Sequence, residues 1–342
     1  MTASEYLLFG IGNPLLDISA HVKPELLQKY NLKANDAILA ADEHKPLYDE
    51  LIKTYSVEYV AGGAAQNAIR GAQWLLPAHS TVYTGCVGKD AYGAQLREAA
   101  QKDGLRVEYL EDEATPTGRC AVLITDTNRS LVTDLNAANN FKETHLQKPE
   151  VWSLVENAKF YYIEGYFLTV SPASIQLIAE HGAKSGKTVS INFSAPFIPQ
   201  FFSAPLDAAL PYVDLVFGNE SEAEAYATAH NWGTTDIKEI ALRVAALPKH
   251  NSTPRRVVFT QGANQTIVAY NGEVKEYPII KIAREQIVDT NGAGDAFAGG
   301  YLSQLVQGKG VDTSVAAGHY VANVVIQRSG PTYPREAPTF QA

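Results

Sequence analysis

The chain has 342 residues, 46% of them hydrophobic, which suffices for one large core and argues against a disordered chain. Its 28 Lys and Arg against 37 Asp and Glu leave a net charge of −9 with no dense basic run, which argues against a nucleic-acid partner. No apolar run approaches the roughly 20 residues of a membrane span, and Met1 to Gly12 lacks a basic segment ahead of an apolar stretch. Cys86 and Cys120 are sparse use for so long a chain and read as free thiols of a reducing compartment. A cytoplasmic protein is expected, with nuclear entry left open.

Tyr6 to Ile11 is a short apolar run ending in Gly10-Ile11-Gly12-Asn13-Pro14, the pattern of a buried first strand and a sharp turn. The glycine pair imitates a dinucleotide fingerprint, but its third glycine would fall at Leu15, so an NAD site is discounted. Asp17 to Val22 alternates polar and apolar, as does part of Val107 to Leu110. Cys120 to Thr125 and Ser130 to Asp134 form a third such pair, joined by the turn composition Asp126-Thr127-Asn128-Arg129. These strands are interrupted by helices, which predicts a small sheet, or lid, apart from the main one, built from segments near 16–40 and 107–140.

Helices are expected over Lys23 to Tyr30, Glu43 to Tyr55, Ala64 to Leu76 and Tyr92 to Lys102, with a strand over Thr81 to Thr84. From Lys159 the alternation is regular: strand Phe160 to Ile163, helix Pro172 to Lys184, strands Thr188 to Asn192 and Val213 to Phe217, helices Ser221 to Ala229 and Asp236 to Leu247, then strand Arg256 to Thr260. Helices Ala293 to Val306 and Thr313 to Gln327 follow. Such alternation predicts a single α/β domain over 1–342, a mostly parallel central sheet flanked by helices on both faces. Ligands sit at the carboxyl ends of such strands, which gathers Asn13, Asp17, Asn192, Phe197, Asn219, Glu222, Thr260 and Gly262 onto one edge.

The chemistry concentrates in Val288-Asp289-Thr290-Asn291-Gly292-Ala293-Gly294-Asp295-Ala296-Phe297, a loop feeding a helix N-terminus. Gly292 and Gly294 leave the backbone without Cβ cover and the first helical N–H groups are unpaired, so the loop forms a concavity that attracts an anion such as a transferring phosphoryl group. A carboxylate there is repelled by that ligand unless it has a task, such as taking a proton from an attacking hydroxyl. Read alone, Asp295 is equally a first-turn acid favoured by the helix dipole.

Asp289 to Asp295 resembles the D-T-x-G-A-G-D signature of the ribokinase-like (PfkB) carbohydrate kinase family, and that string is specific. Gly62-Gly63-Ala64-Ala65-Gln66-Asn67 matches its G-G-x-x-x-N element, and Gly12 to Asp17 resembles the N-terminal substrate motif of a nucleoside-phosphorylating branch. With Asn192 to Phe197 and Phe217 to Glu222, the resemblance runs the whole chain in order. It implies a ribokinase-like fold and ATP-dependent phosphorylation of the 5′-hydroxyl of adenosine by a monomer, without a phosphoenzyme. A kinase for another nucleoside or a sugar, and a catalytically silent nucleoside-binding protein, are the other readings.

The same resemblance implies roles. Asp295 is the general base, with Gly292, Ala293 and Gly294 as the anion hole. Arg129 neutralises charge on the phosphoryl group, although by itself it reads equally as an exposed turn arginine. Asn219 and Glu222 match an N-x-x-E element that organises Mg²⁺ through water, where the residues alone also fit a helix cap with a first-turn acid. Asp289 and Thr290 resemble a monovalent-cation loop, for K⁺. Asp17, Gly63 and Asn67 take the ribose, beside Asn13 and Asn192. Leu39, Leu135, Phe167 and Phe197 wall the adenine with Cys120 nearby, and without the resemblance all four apolar residues read as core. Thr260, Gly262, Asn291, His319 and Asn323 join Asn219 at the ATP end, although His319 on an apolar helix also fits a satisfied core histidine. Ala64 departs from the branch, which commonly has a hydroxyl residue there.

Overall fold

The computed structural model describes residues 6–34, 36–125 and 128–341. Its central sheet has nine strands, in the order Glu273–Tyr277, Asn264–Tyr270, Arg256–Gln261, Leu215–Asn219, Thr188–Asn192, Phe160–Glu164, Leu8–Ile11, Thr81–Thr84 and Arg106–Val107. From Arg256–Gln261 to Arg106–Val107 every neighbouring pair is parallel, and only the hairpin Asn264–Tyr270 with Glu273–Tyr277 adds antiparallel edges. The parallel strands are near-continuous apolar runs because both faces are covered by helices. This is the ribokinase-like architecture that the alternation and the signature imply.

A second sheet of five strands runs Ala37–Leu39, Asn128–Asp134, Arg119–Thr125, Leu15–His21, Glu58–Gly62. Its two faces follow the two-residue strand period. Ile18, Ala121, Leu123 and Val132 pack under helix Lys45–Thr54 against Leu47, Tyr48 and Leu51. The alternate positions Asp17, Cys120, Leu131 and Thr133 face a cavity above the central sheet.

Three expectations need correction here. Glu58–Gly62 belongs to this sheet although it ends in a glycine, is followed by the helix cap Gly63 and gives no clean alternation. The segment 107–110 does not belong to it: Arg106–Val107 is the edge of the central sheet, and Leu110–Asp112 pairs with Cys86–Gly88. So short a pattern carries no mark of which sheet will take it. The supposed turn over Asp126 to Arg129 is in part strand, since Asn128 and Arg129 pair with Thr125 and Ile124, while Asp126 and Thr127 lie outside the described residues.

The helix that opens at the signature, Ala293–Leu305, is clamped between helices Ala64–Leu75 and Val311–Ile326. The approach is close: a Cβ on Gly299 would lie 2.3 Å from the Ala68 carbonyl oxygen, and one on Gly300 2.4 Å from that of Ala317. Small residues therefore fix the distance between the turn carrying Asp295 and the turn carrying Asn67.

Candidate active site

A cavity of about 1120 Å³ lies between the carboxyl ends of the central strands and the small sheet. The signature loop forms part of its floor. Gly292 adopts the left-handed conformation, φ 73°, just before helix Ala293–Leu305, and a Cβ on Gly294 would meet open space, so the helix N-terminus is uncovered toward the cavity, although Ala293 N–H already donates to the Thr290 carbonyl oxygen at 3.3 Å. Asp295 stands in that first turn. Asn67 Nδ2 donates to its Oδ2 at 3.0 Å, and burial raises its pKa to about 7, against which the Asn67 bond pulls downward.

The paired glycines ahead of helix Ala64–Leu75 now have a reason. A Cβ on Gly62 would lie 2.2 Å from Asp17 Oδ1, and Gly63, at φ 93°, would place one 2.1 Å from the Asn13 carbonyl oxygen. Only glycine lets this turn lie against the strand end that carries Asn13 and Asp17. Asp17 is 8% exposed, and burial pushes its pKa up to about 7, with Arg70 opposing and the charge of Asp295 adding. Asn13 Oδ1 is buried without a hydrogen-bond donor, a polar acceptor waiting in the cavity wall.

Glu164, at the end of strand Phe160–Glu164, is a site residue that no motif marked. It is 2% exposed and its carboxyl is pushed up to about 8, first by burial and then by the charge of Asp295. The available signal was its position, an acid directly after the apolar run at a strand's carboxyl end. Glu222 completes the set, raised to about 7 by burial, with the Asn219 amide and the charge of Asp295 as smaller opposing effects. Asn219 and Glu222 form a reciprocal cap: Glu222 N–H donates to Asn219 Oδ1 at 2.9 Å, and Asn219 N–H to Glu222 Oε2 at 2.9 Å.

These acids hold protons in the folded state that they lose in the unfolded chain, so each subtracts stability as pH rises from its ordinary carboxyl value to its raised one. For Asp295 the window runs from about 4 to about 7. Asp295→Asn is therefore expected to raise the Tm of the ligand-free protein by an amount that grows across this window and then levels off. A gain independent of pH in thermal melts would contradict the raised pKa.

One end of the cavity is apolar. Leu39, Leu135 and Phe197 line it with Cys120, and Leu39 is 58% exposed, an apolar side chain held open over the cavity by the small sheet. Phe167 does not line it: it is fully buried against Phe141, with ring centroids 5.3 Å apart, and its neighbour Tyr166 takes the wall, 5.7 Å from Phe197. Asn192 lines the cavity, its Nδ2 donating to Tyr162 Oη at 3.2 Å.

At the other end Asn219, Thr260, Gly262 and Asn291 line the wall, with Ile280, Ile287 and Ile326, which carried no motif. His319 and Asn323 do not. His319 Nε2 shares a hydrogen bond with Thr266 Oγ1 at 2.8 Å, its ring lies 5.4 Å from that of Phe297, and burial lowers its pKa, the condition of a satisfied core histidine. Asn323 Oδ1 accepts from Gln327 Nε2 at 2.9 Å on the same helix, behind the wall made by Ile280 and Ile326.

Arg129 also departs from expectation. It is 8% exposed and its Nε lies 2.7 Å from Asp289 Oδ1, so the small sheet is tied to the signature loop rather than presenting a bare cation to the cavity. Asp289 further accepts the Asn291 N–H at 2.9 Å and the Gly330 N–H at 2.8 Å. A guanidinium and two amides occupy this carboxylate. Among the described residues no three His, Cys, Asp or Glu side chains stand together to hold a metal ion. The Asn219 and Glu222 side chains, engaged with each other but desolvated, fit an ion that keeps its water and arrives with phosphates.

A buried carboxylate beside a helix N-terminus that opens on a cavity can take a proton from a hydroxyl that attacks an anion held there, which is the arrangement a small-molecule phosphotransferase needs. The chain belongs to the pfkB family of carbohydrate kinases, whose pattern matches residues 25–338. It is similar to adenosine kinase 1 of Arabidopsis thaliana, 53% identical over 99% of this chain and 100% of the relative, and to the adenosine kinase of Saccharomyces cerevisiae, 45% identical over 96% and 97%. The crystal structure of Anopheles gambiae adenosine kinase in complex with P1,P4-di(adenosine-5) tetraphosphate superposes with a TM-score of 0.93 at 46% identity, covering 98% of this chain and 99% of that one. Adenosine kinase from Schistosoma mansoni in complex with 2-fluoroadenosine gives 0.91 at 37%, covering 97% and 98%. No helix among the described residues is long and apolar enough to cross a membrane.

Proposed function

We propose that the protein transfers the γ-phosphoryl group of ATP to the 5′-hydroxyl of adenosine, giving AMP and ADP, a purine-salvage reaction. The observation that carries the proposal is one continuous cavity of about 1120 Å³ that takes in Asp295 and the helix N-terminus together with the apolar group of Leu39, Leu135 and Phe197 and the group of Asn219, Thr260 and Asn291. The mosquito relative, similar over nearly the whole chain, is in complex with P1,P4-di(adenosine-5) tetraphosphate, which supports a nucleoside and a nucleotide as the two substrates.

Adenosine lies with its base among Leu39, Leu135, Phe197 and Tyr166 and its ribose against Asp17, Asn13 and Asn67. Asp295 removes the 5′-proton as the oxygen attacks in line, and the amides of Gly292 to Gly294 meet the charge that develops on the phosphoryl group. The donor nucleotide spans Asn291, Asn219 and Thr260 toward Gly262 and the isoleucines. Asn219 and Glu222 would hold Mg²⁺ through water, and the ion would neutralise charge on the phosphates. The small sheet closes as a lid that keeps water from competing as acceptor, with Arg129 and Asp289 tying its edge to the signature loop. The protein works as a cytoplasmic monomer.

The test is ATP-dependent product formation across nucleosides and sugars. AMP from adenosine, with kcat/KM rising as pH climbs through about 7 because the base must be ionised, is the expected result. Preferred turnover of a free sugar, or tight adenosine binding without turnover, overturns it in favour of a sugar kinase or a silent binding protein.

A further inference from the structure

Glu164 has no part in the scheme above, yet it is the most deeply buried carboxyl in the cavity wall, 2% exposed. Its strand lies between Leu8–Ile11 and Thr188–Asn192, so its side chain emerges beside the start of helix Ala64–Leu75. That helix has no side-chain cap of its own, because its N-cap is Gly63. Glu164 supplies the missing acceptor from another element: Ala65 N–H donates to its Oε2 at 2.9 Å. Space for the contact is made by Gly12, where a Cβ would lie 3.0 Å from that same oxygen and 2.6 Å from Ala65 Cβ. Three chain segments therefore converge on one hydrogen bond. Two residues beyond Ala65, within the same first turn, Asn67 donates to Asp295.

We propose that Glu164 is a positioning residue for phosphoryl transfer, which caps helix Ala64–Leu75 from the neighbouring strand and so sets the aim of Asn67 on Asp295. The inference rests on Asp295 being the base. The titratable groups that feel Glu164 are Asp295 on helix Ala293–Leu305, Tyr83 on strand Thr81–Thr84, Tyr162 on its own strand and Tyr166 in the following turn. All are acids or phenols. Burial first, and then the charge of Asp295, favour the protonated form of Glu164, which lets it cap the helix without setting a second negative charge beside the ionised base.

The position of the Asp295 limb in the pH profile of kcat/KM reads this aim directly, because the Asn67 bond stabilises the ionised carboxylate. Asn67→Ala moves the limb to higher pH. Glu164→Ala is expected to move it the same way and to lower kcat about tenfold, the worth of one misplaced hydrogen bond, with a smaller change in KM for adenosine. The double variant is no worse than Asn67→Ala alone, since both remove the same contact. Glu164→Gln keeps an acceptor oxygen and restores the limb. Glu164→Asp withdraws the oxygen by one methylene and gives the shifted limb should the alanine variant fail to fold. A limb that stays in place or moves down in Glu164→Ala or Glu164→Asp, or losses that add in the double variant, overturns the proposal and leaves Glu164 a helix cap only. A wild-type profile without the limb, or a fully active Asp295→Asn, strikes the assignment of the base itself, a distinct outcome.

Discussion

Asp295→Asn is expected to lower kcat on the order of 10³-fold while the affinity for adenosine stays within a few-fold of wild type. The substitution is nearly isosteric, and Asn67 Nδ2 can donate to the new amide oxygen as it does to the carboxylate at 3.0 Å, so the turn that carries the residue is preserved. What is lost is the proton acceptor. No cation opposes burial at Asp295, whose pKa is raised to about 7 with only the Asn67 bond acting against it. A base poised near neutral pH combines an ionised population with a real drive to take a proton, which is the condition for effective general-base catalysis. The uncovered helix N-terminus after Gly292 remains in the variant, so its residual rate comes from positioning and charge stabilisation, and the pH limb disappears. Steady-state kinetics beside calorimetric titration of adenosine makes the comparison. Turnover near the wild-type rate would remove Asp295 from its role.

What could be read in advance divides along a physical line. Contiguous strings that dictate backbone geometry were legible: the glycines of the signature loop, and Gly62-Gly63, whose Cβ atoms would strike Asp17 and Asn13. So were six parallel strands of the central sheet, because strands buried on both faces are continuous apolar runs between amphipathic helices, whereas the edge hairpin Asn264–Tyr270 with Glu273–Tyr277 went unread. The small sheet was half legible. Alternation identified Leu15–His21 and Arg119–Thr125, but Glu58–Gly62 hides behind its terminal glycine and Arg106–Val107 was drawn to the wrong sheet.

Side-chain destinations were the illegible part. Phe167 and Tyr166 are adjacent in the short helical turn Gly165–Thr169, where one step along the chain changes the face, so an apolar wall could be foreseen but not which ring supplies it. His319 and Asn323 share a helix face, yet whether that face meets ligand or protein depends on the distant segment around Ile280. The pairing of Arg129 with Asp289 joins two strings to which the resemblance gave separate ligand roles, and it sets one against the other within the protein. Glu164 belongs to no string, and its meaning comes from Gly12 and Ala65, far apart in sequence.

The largest discrimination is expected at the ribose, where 2′-deoxyadenosine should be a far poorer substrate than adenosine. Asp17 is held 8% exposed under the small sheet, and its carboxyl, pushed up to about 7 by burial, lacks the stabilisation that water gives an exposed acid. The 2′- and 3′-hydroxyls of a ribonucleoside can both donate to it and so favour the ionised form. A substrate lacking one hydroxyl leaves a buried oxygen unpaired, which costs more than the bond itself contributes. Sites built around a substrate hydroxyl reject the analogue lacking it by about 10⁴-fold or more, whereas apolar slots such as that of Leu39 and Phe197 discriminate only about 10²-fold. Asp17→Ala is therefore expected to cut kcat/KM for adenosine severely and to narrow the gap between the two nucleosides, because the unpaired oxygen is gone from both complexes. Measuring kcat/KM for both substrates with both proteins closes a cycle whose coupling term isolates the contact. If Asp17→Ala lowers both substrates by the same factor, the carboxylate is holding the small sheet or the 5′ end, and the 2′-hydroxyl is recognised elsewhere.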